Sequence, residues 1–194
     1  SGGLNFDLPQ EICTPMDTSK LTAKSRDAVS AALRNALTNG NPSAEPVHLL
    51  HALLMVPDNT VGSLLSAVGA DPKVVDAAAQ GAITKLPSAS GNSVSQPGLS
   101  GGMARVLADA ETRAEQLGDD FVATEHLMIA LASIVSEAQK ILAQFGADPK
   151  KLTKSFNDAR GDKRITSAEQ EGGASTLDKY SIDLTARARE GRLD

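Results

Sequence analysis

Aromatic residues and cysteine are scarce in this sequence. Its 194 residues include no tryptophan, one tyrosine and one cysteine, and aromatic residues make up 3%. A single cysteine excludes a disulfide framework and a cysteine-based zinc site. Because 41% of the residues are nevertheless hydrophobic, the core must be aliphatic. That composition favours helices over a β-sandwich, which needs more Val, Thr and aromatic residues.

Positive charge and long apolar runs are also scarce. The chain has 19 basic and 24 acidic residues, a net charge of −5, and no basic block, so we expect no nucleic-acid partner. No run of 18 apolar residues occurs, so we expect no membrane partner. The string G-x-x-x-x-G-K-[ST] is absent, which excludes a P-loop and leaves the chain without a predicted cofactor.

We expect both ends to lie outside the fold. Residues 1–15 show neither a helical nor a strand period and precede Met16, so we interpret them as a remnant of an expression tag. Cys13 then lies outside the natural chain, which fits a reducing cytoplasm. Residues 161–194 begin as a polar linker, and a helical period resumes at Leu177.

The remaining sequence is an internal duplication. The motif around His48 recurs around His126, 78 positions later, and Gly40 recurs as Gly118 at the same spacing. The string Gly-Ala-Asp-Pro at residues 69–72 recurs at residues 146–149, 77 positions later. Such a period indicates two structural units, neither of which buries its apolar face alone.

Each unit is predicted to contain four helices from its apolar spacing, with Thr22 and Asp71 as N-caps. We therefore predict an all-α fold of two tandem, pseudo-symmetric four-helix repeats with no sheet. The repeats are residues 16–86 and 99–160, and a linker rich in Ser, Gly and Pro joins them at residues 87–98.

One difference between the repeats is visible in the sequence. The first repeat has leucines at positions 33 and 37, and the second has Glu111 and Glu115 at the equivalent positions. We therefore expect that face of the second repeat to be exposed to water.

The sequence shows few candidates for catalysis or metal binding. His48 and His51 form an H-x-x-H pair, but no third ligand lies at a suitable spacing. His48 and His126 occupy equivalent repeat positions, which favours a structural role. A small hydrolase remains a distant alternative, because no nucleophile with its base and acid is recognisable. The residues alone indicate a helical interaction module.

The duplicated motifs closely resemble the N-terminal domain of the Clp ATPases. The resemblance rests on Glu125-His126-Leu127 and on the two Gly-Ala-Asp-Pro strings. The segment from Leu177 to Asp194 is similar to the one that, in the ClpB-type disaggregases of this family, leads into the first AAA+ module. Residues 161–194 would then be a linker and the start of that segment, with the module itself absent.

The resemblance implies the substrate-binding domain of an ATP-dependent disaggregase. Such a domain engages unfolded or aggregated proteins and, with the DnaK chaperone system, hands them to a hexameric AAA+ ring. The parent protein would be a cytoplasmic homohexamer with ATP, magnesium and a coiled-coil middle domain. The present chain would be a monomer without enzymatic activity or a cofactor of its own.

The resemblance also implies a substrate groove between the repeats. Its polar residues match Thr22, Asp119 and Glu125, and its apolar residues match Leu107 and, with a departure from leucine, His126. A second family leucine is replaced by Asp109. Without the resemblance, Thr22 is an N-cap, the carboxylates are helix-end residues and Leu107 is a core residue.

A ClpC- or ClpA-type domain is the alternative, and it would dock adaptors or marked substrates for a protease. Members that bind phosphoarginine carry Glu before His in both repeats. Here Glu125 precedes His126, but Val47 precedes His48. An acidic site for a guanidinium group would thus be incomplete.

We expect the 194-residue chain not to bind ATP, because the phosphate-binding loop is absent. Titration calorimetry with ATP and magnesium tests this, with a P-loop ATPase as positive control. The expected result is heat of dilution alone, and a saturable micromolar site would contradict it.

Overall fold

A computed structural model describes residues 18–56, 60–88 and 97–169. The first repeat contains helices α1 (Ala23–Thr38), α2 (Pro46–Met55), α3 (Val61–Ala67) and α4 (Pro72–Thr84). The second contains α5 (Gly101–Gln116), α6 (Thr124–Ser133), α7 (Glu137–Gln144) and α8 (Pro149–Arg160). The predicted all-α architecture of two four-helix repeats is confirmed. The predictions for residues 1–15 and for the segment from Leu177 lie outside the described residues, as do residues 89–96 of the linker.

The predicted N-caps are also confirmed. The Oγ1 atom of Thr22 accepts the backbone N–H of Ser25 at 3.2 Å at the start of α1. The carboxylate of Asp71 accepts the N–H of Lys73 at 3.0 Å at the start of α4. Each cap satisfies a helical N–H that has no partner within its own helix.

Two short parallel pairings join the repeats, so the prediction of a fold without any sheet was wrong in this detail. Strand β1 (Ser43–Ala44) pairs with β2 (Gly98–Leu99), and Leu21 forms a bridge with Val122. Leu99 and Val122 are the repeat equivalents of Leu21 and Ala44, 78 positions later. The same pairing is therefore made twice, each time between the entry to one repeat and the segment just before the second helix of the other. Isolated dipeptide strands were not visible in the sequence, because neither has room for a period of two.

A single hydrophobic core extends through both repeats. At its centre lie α2 and α6, the most apolar helices, and nine of the ten residues of α6 are buried. Around them, α4 packs against α7 and, on the pseudo-symmetric side, α3 packs against α8. Among the described residues no single helix is long and apolar enough to cross a membrane. Of the described helix pairs, only α6 and α7 together reach the necessary length and apolar composition, and they are bent by 92° relative to each other.

The predicted difference between the repeats on one helical face is confirmed. Glu115 is exposed and Glu111 is partly exposed, where it approaches Lys20 at 3.5 Å. The equivalent Leu37 is itself 46% exposed. Neither repeat therefore buries this face completely.

The structure corrects the predicted boundary at residue 161. Ile165 is 1% exposed and belongs to the core. Its carbonyl accepts the N–H of Asp120 at 2.8 Å, and the carbonyl of Ala168 accepts the N–H of Ala23 at 2.6 Å. Residues 161–169 thus form a strap across both repeats, although their polar composition predicted a free linker.

We expect the two repeats to unfold together, because they share one core and each supplies a pairing segment to the other. Amide peak intensities from both repeats, followed by NMR through a urea titration, should give one common midpoint. Separate midpoints for residues 21–86 and 99–165 would contradict this interlocked arrangement.

Candidate functional site

The same polar motif is built twice, between the first and second helices of each repeat. Gly40 and Gly118 end α1 and α5 with φ of 71° and 81°, a left-handed conformation that favours glycine. After this turn, the backbone N–H groups of Asn41 and Asp119 each donate to a carbonyl of the preceding helix, at 2.9 and 2.8 Å. The turn thereby places Asn41 or Asp119 against the start of the following helix.

A buried histidine completes each motif. The N–H of Glu45 donates to Nδ1 of His48 at 2.8 Å, and the N–H of Ala123 donates to Nδ1 of His126 at 2.9 Å. Because Nδ1 accepts, the proton of each neutral ring is on Nε2. This nitrogen donates to Oδ1 of Asn41 in one repeat and to Oδ2 of Asp119 in the other, each at 2.9 Å.

Both histidines are held neutral. Burial lowers the pKa of His48, and the nearby Glu45 opposes the shift without reversing it. Burial likewise lowers the pKa of His126, against the opposing effect of Asp119. The role of each ring is therefore to cap a helix and hold the preceding turn.

Asp119 is the centre of a buried network in the second repeat. Its side chain is fully buried and accepts the Nη1 group of Arg160 on both oxygens at 2.7 Å. Its Oδ1 also accepts the N–H of Ile165 at 2.9 Å. The guanidinium of Arg160 lies over the ring of Phe156 at 4.4 Å and donates to the carbonyl of Leu117 at 3.1 Å.

The network keeps Asp119 ionised. Burial acts to raise the pKa of Asp119, but hydrogen bonds from His126, Ile165 and Arg160 together hold this pKa below its ordinary value. The carboxylate is therefore charged at neutral pH and is balanced by Arg160. It joins α6, α8 and the strap at residues 161–169.

The first repeat makes the neutral version of this network. Asn41 replaces the carboxylate, and its Nδ2 donates to the carbonyl of Pro87 at 2.9 Å, just beyond α4. Ile83, which is 5% exposed, occupies the place of Arg160. Each repeat thus ties the chain that follows its last helix to the same turn. The sequence analysis did not identify Arg160. The signal was available, because the repeats, aligned with offsets of 78 and 77 residues, place Asp119 and Arg160 opposite the uncharged Asn41 and Ile83.

Glu125 belongs to a different buried contact. It is 1% exposed in the first turn of α6, and its Oε2 accepts the hydroxyl of Thr60, which begins α3 in the other repeat. Its equivalent in the first repeat is Val47, also 1% exposed. Thr60 was the second residue that sequence reasoning missed.

None of the predicted substrate-binding side chains is at the surface. Asp119 and His126 contact each other, Thr22 reaches the same region through a 3.0 Å bond from its N–H to the carbonyl of Val122, and Glu125 binds Thr60. Leu107 is a core residue with 2% of its surface exposed. All five side chains therefore lie inside the domain in this structure, and their assignment to substrate binding stays a prediction. The burial of the polar residues was not predicted, because a helix start between two repeats has a buried side that helical spacing does not reveal.

One exposed feature between the repeats is an apolar groove, formed by α4 of the first repeat and α7 of the second. Its wider part has a volume of about 570 Å³ and its narrower end about 210 Å³, and Leu86 and Glu137 line both. The apolar lining residues are Pro46, Val47, Ala78, Ala82, Leu86, Val135 and Ile141. Val135 is 75% exposed, the largest value among the large hydrophobic residues of the described chain.

The rim of the apolar groove carries charges of both signs. Glu45 and Arg105 lie at the narrow end, Lys85 lies along the wide part, and Glu137 lies between them. The small residues Ala78 and Ala82 on α4 allow a polypeptide backbone to approach closely. The groove therefore suits an extended apolar segment and offers no single-sign field to select a charged one.

The described residues offer no metal site. They contain no group of three or more His, Cys, Asp or Glu side chains placed to hold an ion. Both ring nitrogens of His48 are engaged within the protein, and His51 binds Asp76 at 2.6 Å. The two histidines of the H-x-x-H pair therefore do not converge.

Comparison with known sequences identifies relatives for most of the chain. A profile described as the Clp repeat (R) N-terminal domain matches residues 20–145. The chain is 69% identical over 179 residues to the chaperone protein ClpB of Propionibacterium freudenreichii, covering 92% of this chain and 21% of the relative. Identity to the ClpB of Mycobacterium tuberculosis is 45% over the same length and coverage. The chain thus spans about a fifth of the length of these curated relatives.

Solved structures share the fold. The Hsp104 N-terminal domain from Candida albicans superposes with a TM-score of 0.67 at 21% identity, covering 77% of this chain and 97% of that one. The N-domain of ClpV from Vibrio cholerae gives a TM-score of 0.60 at 21% identity, covering 72% and 84%. At this identity the likeness concerns architecture alone.

Replacing both buried histidines should flatten the pH dependence of stability. Because folding lowers their pKa, the unfolded chain binds more protons, and stability falls as the pH drops below about 6.5. In the variant His48→Gln/His126→Gln, glutamine keeps the cap but does not titrate. Melting temperatures at about pH 7.5 and 5.5 test this. An equal drop in both proteins would contradict the role of the histidines.

Proposed function

Because the chain belongs to the family of Clp repeat N-terminal domains, we propose that it is the substrate-binding domain of a ClpB-type chaperone. Its task is to hold exposed apolar segments of unfolded or aggregated proteins. The apolar groove between α4 and α7 is the binding surface. The domain itself acts by binding and performs no catalysis.

The observation that carries this proposal is the exposure of aliphatic side chains at a concave surface between two rigid repeats. Val135 is 75% exposed and Leu86 lies in both parts of the groove. Covering such side chains contributes about 25 cal/mol per Å² of apolar area, and ordering an unfolded client opposes it. Binding should therefore be weak at one domain, and several domains would strengthen it by avidity.

We assign the buried polar residues a positioning role. Asp119 and His126 fix the start of α6, and Glu125 joins that helix to Thr60 of the first repeat. Thr22 caps α1 and pairs with the segment before α6. Since α7 follows α6 directly, these contacts set the position of one wall of the groove. Their substitution would weaken substrate binding through the position of that wall.

The remaining features of the whole protein are part of the same proposal. The relatives are chaperones about five times longer than this chain. We infer an ATP- and magnesium-dependent AAA+ parent that forms a homohexamer in the cytoplasm and works with the DnaK system. The isolated domain would be a monomer that supplies substrate to the ring.

The protease-associated alternative has less support. Recognition of a phosphorylated guanidinium group by the residues before the two histidines needs accessible carboxylates. Glu125 is 1% exposed, and Val47 occupies the equivalent position in the first repeat. A ClpC- or ClpA-type domain is therefore not the function we propose.

Substituting Val135→Asp should weaken binding of an unfolded protein about ten-fold. Burial of a valine side chain contributes about 1.5 kcal/mol, which corresponds to roughly that factor. The measurement is fluorescence anisotropy with labelled, reduced and alkylated lactalbumin, using the 194-residue chain. Because Val135 is already 75% exposed, the substitution should leave the helical content unchanged.

Met55→Asp is the matched control. Met55 is 62% exposed and does not line the apolar groove, so its substitution removes an exposed hydrophobic residue and adds the same charge. Its affinity should stay within about two-fold of the parent value. Equal losses in the two variants would show that general surface hydrophobicity, and not the groove, binds the substrate.

A further inference from the structure

Positive charge is concentrated around the last helix of an otherwise acidic chain. Residues 149–164 contain six basic and two acidic residues, whereas the whole chain has a net charge of −5. The equivalent helix of the first repeat, α4, shows no such enrichment. Lys151 and Lys154 occupy the positions of Val74 and Ala77 there.

Lys150 and Lys151 lie where the dipole of α8 disfavours positive charge. Lys150 and Lys151 lie in the first turn of α8, where the positive end of the helix dipole disfavours cations by roughly 0.3–1 kcal/mol each. Both side chains are exposed and form no ion pair among the described residues. Asp148 caps the helix through the backbone N–H groups of these two residues, at 2.8 and 3.0 Å.

Two cavities flank the exposed side of α8. One, of about 670 Å³, lies against α5, and its polar lining residues are Arg113, Lys150, Thr153, Lys154, Asn157 and Asp158. The other, of about 400 Å³, lies against Ala67 and Val68 at the end of α3, and its polar lining residues are Lys151, Lys154, Ser155 and Asp158. We call Arg113, Lys150, Lys151 and Lys154 the cationic face.

Three acidic residues lie close to the cationic face, and two of them form ion pairs with it. Asp158 pairs with Lys154 at 2.8 Å and Asp109 pairs with Arg113 at 2.6 Å. Asp148 caps the helix start and also interacts electrostatically with Lys150 and Lys151. Lys150 and Lys151 are therefore the cations of this face that form no direct ion pair with a described residue, one beside each cavity.

By repeat symmetry, the cavity between α3 and α8 is the counterpart of the apolar groove between α7 and α4. The fold thus presents the same type of groove twice, once with an aliphatic lining and once with lysines. We propose that the cationic face binds a short acidic segment of a partner polypeptide, with carboxylates entering the two cavities. The excess of acidic residues on the rest of the chain opposes a long polyanion, which favours a short peptide over nucleic acid.

The test uses an octapeptide in which glutamate alternates with serine, and the same peptide with glutamine in place of glutamate. NMR titration of the 194-residue chain should show shifts on α8 with the acidic peptide only. Affinity should fall several-fold between 50 and 300 mM salt because both partners are exposed to solvent. Val135→Asp should bind the acidic peptide as the parent does, which keeps this test separate from the proposed function.

Lys150→Glu and Lys73→Glu form a matched pair. Each lysine is exposed and follows an Asp-Pro cap at the second position of its helix, so both variants change the charge equally and suit the dipole. Lys150→Glu should weaken binding about five-fold, and Lys150→Glu/Lys151→Glu by at least about ten-fold. Lys73→Glu should leave binding unchanged.

Three outcomes would overturn the proposal. The glutamine peptide could bind as tightly as the acidic one, or Lys73→Glu could lose as much affinity as Lys150→Glu. A single-stranded oligothymidine of eight nucleotides could also bind α8 at least as tightly as the acidic peptide, which would assign the face to nucleic acid.

Discussion

The fold depends on a carboxylate that cannot leave its buried position without losing all its partners at once. Asp119 is balanced by Arg160 and receives hydrogen bonds from His126 and from the backbone of Ile165. Removing one member of such a buried pair costs roughly 3–5 kcal/mol, because the other charge stays buried. The contact joins the start of α6 to the end of α8 and holds the strap at residues 161–169. It therefore fixes the position of the strap relative to α6 and α8.

This arrangement separates the residues that hold the domain from those that are available to partners. The Asp119 network lies inside the second repeat and Glu125 lies between the repeats, and no side chain of these residues is presented to solvent. The apolar groove and the cationic face lie outside, on equivalent sides of the two repeats. A domain of this kind keeps its binding surfaces rigid because their supporting helices share one core. The surfaces themselves can differ in chemistry, since exposed positions of α4 and α8 carry different residues, such as Val74 and Lys151.

Helical spacing and the repeat period were sufficient to predict all eight helices, because several helices have a periodic apolar face and recognisable caps such as Thr22 and Asp71, and the repeat relates the two sets. They did not predict the crossed pairing of Leu21 with Val122, which depends on contacts 101 positions apart. Nor did they distinguish buried from exposed helix ends. Asp119 was identified as a polar residue at a helix end, but its burial depends on Arg160 and Ile165, which come from distant segments. The available signal was the replacement of Asn41 and Ile83 in the first repeat by two opposite charges in the second, which indicates an ion pair.

The measurement that most directly tests this account is a map of backbone NMR shift changes when an unfolded protein is added to the 194-residue chain. The account predicts that the first and largest changes occur at the apolar groove, at Ala78, Ala82, Leu86, Val135 and Ile141. The shift changes of Thr22, Asp119 and Glu125 should be smaller and should arise only from movement of the groove wall that these residues hold. If the largest shift changes occurred at these three buried residues and the groove stayed unperturbed, the account would be contradicted and substrate would be placed at these residues instead.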